Sequence, residues 1–255
     1  MSNTLEEIIP VWGTEIYIQV ASQNFKQSEM RQAIEKVRDF FFEVDANFST
    51  YRPDSAVTKL RKNKLAISDA PAMVQEVWEK CIKARDLTNG AFDPWSVVGG
   101  FDPSGLVKGW AAEIAAEMLV LAGCESIQVN AAGDIALRGG APDGSLWKIG
   151  VVNPDNRSEI VQVFEIYDGN IATSGTYEKG AHIHDPHTGL IAIGAKSGTV
   201  IGPDGGLCDA FATALMVDGT GAAEWIGNPE LSDFTYWAIN RNEDTAWSFG
   251  SNIGV

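Results

Sequence analysis

Apolar and polar residues alternate along T-E-I-Y-I-Q-V-A, Thr14 to Ala21, with the period of two that marks a half-buried strand. From Ser28 to about Ala46 the period changes: Met30, Ala33, Ile34, Val37, Phe41 and Val44 fall on one helical face, with Ser28 placed to cap it. A second helix is predicted after Asp69-Ala70-Pro71, where Val74, Val77, Trp78, Cys81 and Ile82 share a side. Between these two, F-S-T-Y-R-P-D-S is broken by Pro53 and reads as a surface turn. A third helix is expected from about Gly109 to Ala122, with Lys108 at its beginning. Short strands follow at Ser126–Asn130, Trp147–Val152, Ile160–Ile166 and Lys196–Gly202, and A-A-G-D-I-A-L-R-G-G supplies a tight turn and a return strand. I-A-T-S-G-T-Y reads as a polar loop rich in hydroxyls. D-A-F-A-T-A-L-M reads as a helix whose Asp209 follows Gly-Gly at the N-cap position. A short helix from about Ala222 to Asn228 and strands near Phe234–Asn240 and Thr245–Phe249 close the chain. Strands separated in places by hairpin turns and elsewhere by helices predict an α+β fold, mainly antiparallel sheets with packed helices. No linker or low-complexity tract divides the sequence, so residues 1–255 are expected to form a single domain.

Charge narrows the function. The net charge of −15 repels nucleic acid and anionic membrane surfaces, so neither is an expected partner. An anionic ligand would meet the same field, and any phosphate site must rely on a metal, backbone N–H groups and a few placed cations. Residues 1–10 lack the basic and apolar regions of a secretory leader, and no run approaches the roughly 18 apolar residues of a membrane span. The expectation is a cytoplasmic protein without membrane insertion. Cys81, Cys124 and Cys208 are isolated and odd in number, which reads as reduced core residues.

Candidate chemistry concentrates between Ala181 and Met216. His182, His184 and His187 are all the histidines of the chain, and imidazole is the side chain suited to moving protons at neutral pH. Asp209 and Thr213 stand at i and i+4, one above the other on a helix, and together offer two hard oxygens to Mg²⁺. Each has a plainer reading: solvated histidines, a capping aspartate, a threonine that decorates a helix. Upstream, Ser104-Gly105 feeds a helix start with Lys108 beside it, which serves an anion or is merely an exposed first turn. Neither the Walker nor the GxGxxG pattern is present.

Taken together, the segments resemble one family, the FAD:protein FMN transferases of the ApbE type. W-G-T, F-S-T-Y-R-P-D-S, G-A-F-D-P, D-P-S-G-L-V-K-G-W-A, V-N-A-A-G-D-I, A-T-S-G-T-Y, H-I-H-D-P-H-T-G and D-A-F-A-T-A-L occur in the family's order from Gly13 to Leu215. The resemblance implies a transferase that binds FAD with Mg²⁺, joins the FMN half to a Ser or Thr hydroxyl of an acceptor protein, and releases AMP. It makes His182 the base. It makes Asp209 and Thr213 metal ligands, with a backbone carbonyl near Gly105 completing the shell. Lys108 would lie by the diphosphate, and Tyr51, Ser55, Gly133, Asp134, Thr173 and Ser174 match segments lining the FAD cleft.

The chain departs from the family in three ways. Only W-S-V-V-G-G separates Pro94 from Phe101, where the family has a longer insertion. The family's D-L-G-G reads D-P-S-G at Asp102 to Gly105, and many members are exported lipoproteins whereas this sequence shows no export segment. His184 and His187 match no motif role. Two other outcomes of the same residues are an FAD pyrophosphatase, in which water replaces the acceptor and FMN and AMP are freed, and a flavin-binding protein without catalysis.

Overall fold

The computed structural model describes residues 3–175, 183–242 and 245–250, and its scaffold is an eight-stranded antiparallel sheet. The first two strands, β1 (Asn3–Val11) and β2 (Thr14–Ser22), form a hairpin turned by Trp12 and Gly13, both at positive φ. Next come helices α1 (Gln27–Phe48), α2 (Ala56–Arg61), α3 (Ala72–Leu87) and α4 (Ser104–Ala122). Strands β3 (Ser126–Ala131), β4 (Asp134–Arg138), β5 (Trp147–Val152), β6 (Ile160–Ile166), β7 (Gly169–Gly175) and β8 (Ala195–Gly202) follow. Helices α5 (Gly205–Asp218) and α6 (Ala223–Ile226) precede β9 (Thr235–Asn240) and β10 (Ala246–Phe249). The sheet order is β1-β2-β3-β4-β7-β8-β9-β10, while β5 and β6 pair separately. The α+β architecture with antiparallel sheets is the one the residue pattern predicts.

Alternation along the strands separates two cores. Ile135, Leu137, Ile171, Ile201 and Trp237 pack beneath the β5–β6 hairpin, against its Trp147 and Phe164. The intervening Ala136, Ala172, Val200, Tyr236 and Ala238 face the helices. Small residues on that face let α5 lie close to the strands: a Cβ on Gly198 would come 2.8 Å from Leu215 Cβ. α4 and α5 are apolar nearly all round, as helices sandwiched inside a core must be. Where they cross, Gly109 lies against the carbonyl of Gly205, and a Cβ on Gly205 would stand 2.5 Å from the carbonyl of Gly109.

Several sequence expectations are corrected. β1 was not legible: Ile8 is exposed and Pro10 interrupts the pattern, which an edge strand tolerates. The segment Y-R-P-D is the exposed turn its sequence predicts; what the pattern does not show is that it leads into the short helix α2, with Ser55 as N-cap. The N-cap of α1 is Lys26, whose N–H donates to Glu29 Oε2 at 2.9 Å, so Ser28 is not its cap. α4 starts at Ser104, ahead of Gly109, with a non-helical break at Gly105. Of the expected loop I-A-T-S-G-T-Y, Ile171 to Gly175 form the second part of β7, with hydroxyls turned to polar neighbours across the sheet and on α5, while Thr176 and Tyr177 lie outside the described residues. Asp209 is not an N-cap: Asp204 caps α5 by accepting from Leu207 N at 2.9 Å, which leaves Asp209 in the second turn.

The crossing gives a test of sign. In an isolated helix Gly→Ala is favourable by roughly 1 kcal/mol. At Gly109 the added methyl meets the Gly205 carbonyl, and overpacking of that kind costs about 1–3 kcal/mol. Gly109→Ala is therefore expected to unfold at lower urea concentration than the wild type. An equal or higher midpoint would show that the helices do not meet there.

Candidate active site

The break at the start of α4, the second turn of α5 and the β3–β4 turn converge on one cleft. Lys108, on α4, extends its ammonium between two carboxylates. It lies 2.5 Å from Asp134 Oδ2 at the start of β4 and 2.9 Å from Asp209 Oδ2 on α5. Both aspartate side chains are nearly sealed from solvent, at 4% and 3% exposure. Burial works against a charged lysine, but Asp134 and then Asp209 outweigh it and hold the Lys108 pKa above its ordinary value. One turn beyond Asp209, Thr213 Oγ1 is 3.3 Å from Ser174 Oγ of β7. A Cβ on Gly105 would stand 3.1 Å from Thr213 Oγ1, so the backbone of Gly105 faces that hydroxyl closely. Thr173 Oγ1 meets Thr199 Oγ1 at 2.9 Å.

Two cavities adjoin at these residues. The smaller, about 260 Å³, is lined by Gly105, Lys108, Asp134, Ser174, Asp209 and Thr213 among others. The larger, about 1030 Å³, reaches from Lys108 to Trp12, Thr14 and Tyr51. Ser104, Lys108 and Ala132 line both and so mark their junction. Ala132 and Gly133 form a two-residue turn with both residues at positive φ. Alanine at φ 56 is strained relative to the usual asparagine or glycine, and it keeps the junction lined by a methyl group. Among the described residues lining the smaller cavity, Asp93, Asp102, Asp134 and Asp209 confront the single ammonium of Lys108.

The expected site residues do not all gather. Gly105, Lys108, Asp134, Thr173, Ser174, Asp209 and Thr213 line the smaller cavity, and Tyr51, almost wholly exposed, borders the larger. Gly133 shapes the turn and donates its N–H to Asn130 Oδ1 at 2.9 Å. Ser55 lines neither cavity: it is fully buried, and its hydroxyl accepts from Thr58 N at 3.0 Å. His182 lies outside the described residues. His184, which had no assigned role, lines the smaller cavity from a short bridge with Ile191, and His187 packs against Gly90. Asp93, Asp102 and Trp12 also reach the cavities; each belongs to a quoted sequence block, yet only the fold shows them converging.

The geometry defines an α+β protein whose cleft gathers carboxylates, hydroxyls and one half-buried lysine beside the junction of two cavities, a set suited to a phosphate ligand accompanied by a cation. Residues 12–97 and 99–234 match the sequence profile of the ApbE family, and the chain belongs to that family. The FAD:protein FMN transferase of Vibrio cholerae is 28% identical over 278 residues, covering 82% of this chain and 80% of that protein. The enzyme of the same name from Salmonella typhimurium is 32% identical over 133 residues, 48% of this chain and 38% of the relative. The solved flavin transferase ApbE from Vibrio cholerae superposes with a TM-score of 0.83 at 23% identity, covering 98% of each chain. The ApbE protein of Thermotoga maritima does so at 0.80 and 22%, covering 97% of this chain and 96% of that one. At those identities the structures show a shared fold.

Lys108→Met would leave two buried carboxylates without their counter-charge, and breaking a buried pair in this way costs about 3–5 kcal/mol. The raised pKa fixes the pH dependence. Stability from Lys108 is complete below the unfolded lysine value of about 10.4 and is lost as pH rises through the higher folded value. Urea unfolding of both proteins should show a constant gap from about pH 7 to pH 10, narrowing only above that. A gap that closes near neutrality would contradict the charged bridge.

Proposed function

We propose that the chain is an FAD:protein FMN transferase, working as one domain in the cytoplasm. It moves the FMN half of FAD to a Ser or Thr hydroxyl of an acceptor protein. The observation that carries this reading is the meeting of Lys108, which stands at the junction of two cavities, with Asp134, Asp209, Thr213 and Gly105 of the smaller one. A dinucleotide could lay its diphosphate at that junction, with one half in each direction. The relatives named FAD:protein FMN transferase support the same substrate.

In the transfer, the acceptor oxygen forms a bond to the phosphorus of the FMN half. The bond from that phosphorus to the bridging oxygen breaks, its electron pair leaves with AMP, and the acceptor proton goes to a base. We assign that base to His182, on the motif alone. Such chemistry asks mainly for positioning and charge stabilisation. Lys108 would hold a diphosphate oxygen, while Thr173, Ser174 and the Ala132–Gly133 turn would border the ligand, with Tyr51 at the outer end.

The donor set fits Mg²⁺. Asp209, Thr213 and a Gly105 carbonyl are hard oxygens on adjoining backbone, and Mg²⁺ takes few protein ligands and fills its shell from water and phosphate. Among the described residues no cluster of three or more His, Cys, Asp or Glu is placed to hold a metal, which agrees with a shell shared with the substrate. When bound, the ion would neutralise the diphosphate charge that the acidic cavity otherwise opposes. Among the described residues no helix is long and apolar enough to cross a membrane.

Mass spectrometry after incubation with FAD, Mg²⁺ and candidate acceptor peptides tests the reading. A Ser or Thr peptide carrying FMN, with AMP released, is the expected result. Free FMN and AMP without adduct across competent acceptors would move the activity to hydrolysis, and intact bound FAD would make the protein a carrier. His182→Ala is expected to lose ~10²–10⁴-fold in transfer while still binding FAD. Asp209→Ala is expected to abolish Mg²⁺-dependent transfer, and normal Mg²⁺ dependence in that variant would remove the ligand assignment.

A further inference from the structure

The two local departures from the family, the short connection after Pro94 and the D-P-S-G turn, meet on one side chain. Arg61 at the end of α2 donates from Nη2 to Val98 O at 2.7 Å and from Nε to Gly99 O at 3.0 Å. Its Nη1 lies 3.8 Å from Asp102 Oδ2. The other oxygen of Asp102 accepts from Ser104 N at 3.1 Å and from Ser104 Oγ at 2.5 Å. Ser104 lines both cavities, and the next residue, Gly105, faces Thr213.

The connection is anchored differently at its two ends. Its base is apolar: Trp95 and Phe101 stack at 5.3 Å and both pack on Trp78 of α3. Asp102 N donates to Pro94 O at 2.8 Å and closes the loop. The tip has no such anchor, since Val98 is 98% exposed and Gly99 and Gly100 both adopt positive φ. What holds the tip is the guanidinium, which also reaches Asp102. A planar fork spans two carbonyls and a carboxylate at once; an ammonium does not.

We propose that Arg61 is a positioning residue for the FAD and metal site. It ties the loop tip to Asp102 and thereby fixes the turn that presents Ser104 and Gly105 to the junction of the cavities. This rests on the FAD-transferase reading for its ligand, and on the contacts of Arg61 alone for its mechanics.

Arg61→Ala and Arg61→Lys attack the clamp directly. Gly99→Ala attacks it from the loop side, because the new methyl would collide with the Arg61 guanidinium. Three readouts apply below the unfolding temperature of each variant: FAD affinity in Mg²⁺ by flavin fluorescence, KM against kcat for FMN transfer, and amide hydrogen exchange across residues 96–105. Arg61→Ala is expected to weaken FAD binding roughly 10–100-fold, the scale of a misplaced positioning group, with KM rising more than kcat falls. Exchange across 96–105 should quicken while that of the sheet stays unchanged. Arg61→Lys should fall between, and Gly99→Ala should shift in the same direction as Arg61→Ala. A lower unfolding temperature with unchanged FAD affinity and unchanged exchange would overturn the proposal. If the wild type binds no FAD, the functional reading fails instead, and exchange across 96–105 alone decides the clamp.

Discussion

Two helices touch backbone to backbone at Gly109 and Gly205, and the cleft exists because they do. Gly205, Asp209 and Thr213 are spaced by four and share one face of α5. The first lets α4 approach, the second meets the lysine that α4 brings, and the third reaches the hydroxyl of Ser174 and the backbone of Gly105. On α4, Lys108 immediately precedes the glycine of the contact. Side chains at the crossing would separate the helices by several ångströms, and the ammonium could not then lie between Asp134 and Asp209. Gly205 N also donates to Glu113 Oε2 at 2.9 Å, which ties the start of α5 back to α4.

The electrostatics are those of an acidic protein with an acid-lined recess. Four carboxylates face the smaller cavity, and the lysine among them is spent on two. Such a recess repels a bare anion, which is the charge problem that the cation of the proposed function would answer. None of the three cysteines lines either cavity: Cys81, Cys124 and Cys208 are buried free thiols, and burial pushes the Cys124 thiol up to about 11.

How legible this was in the sequence depended on the physical origin of each element. Helices α1 and α3 were readable because one-sided burial writes a 3.6-residue period into the chain. α4 and α5 are apolar nearly all round, so their period is blurred, and the starts that the pattern suggests fall at the most conspicuous residues, Gly109 and Asp209, inside the helices. β7 reads as a loop because Thr173 and Ser174 are polar, yet they are polar because they border the cleft. The family blocks singled out Lys108, Asp134, Asp209 and Thr213, which the fold brings to one cavity. They could not reveal that Ser55 is committed to capping α2, or that His184 faces the cavity, since both follow from how distant segments pack. The contacts of Arg61 are invisible in the sequence, because its two hydrogen-bond partners are backbone carbonyls, which every residue carries, and Asp102 lies far along the chain.

The sheet order carries a kinetic consequence. β1 with β2 and β3 with β4 are hairpins, and β7 to β10 run as neighbours in sequence order. β2 and β3 pair only after the chain has closed around all of α1 to α4. Local hairpins form in microseconds, whereas a closure of that length must be entropically repaid by contacts that come late. The nascent chain therefore holds its first hairpin as an orphan until synthesis has passed Ala131, and the recess between α4 and α5 can mature only after the seam between β2 and β3 has joined.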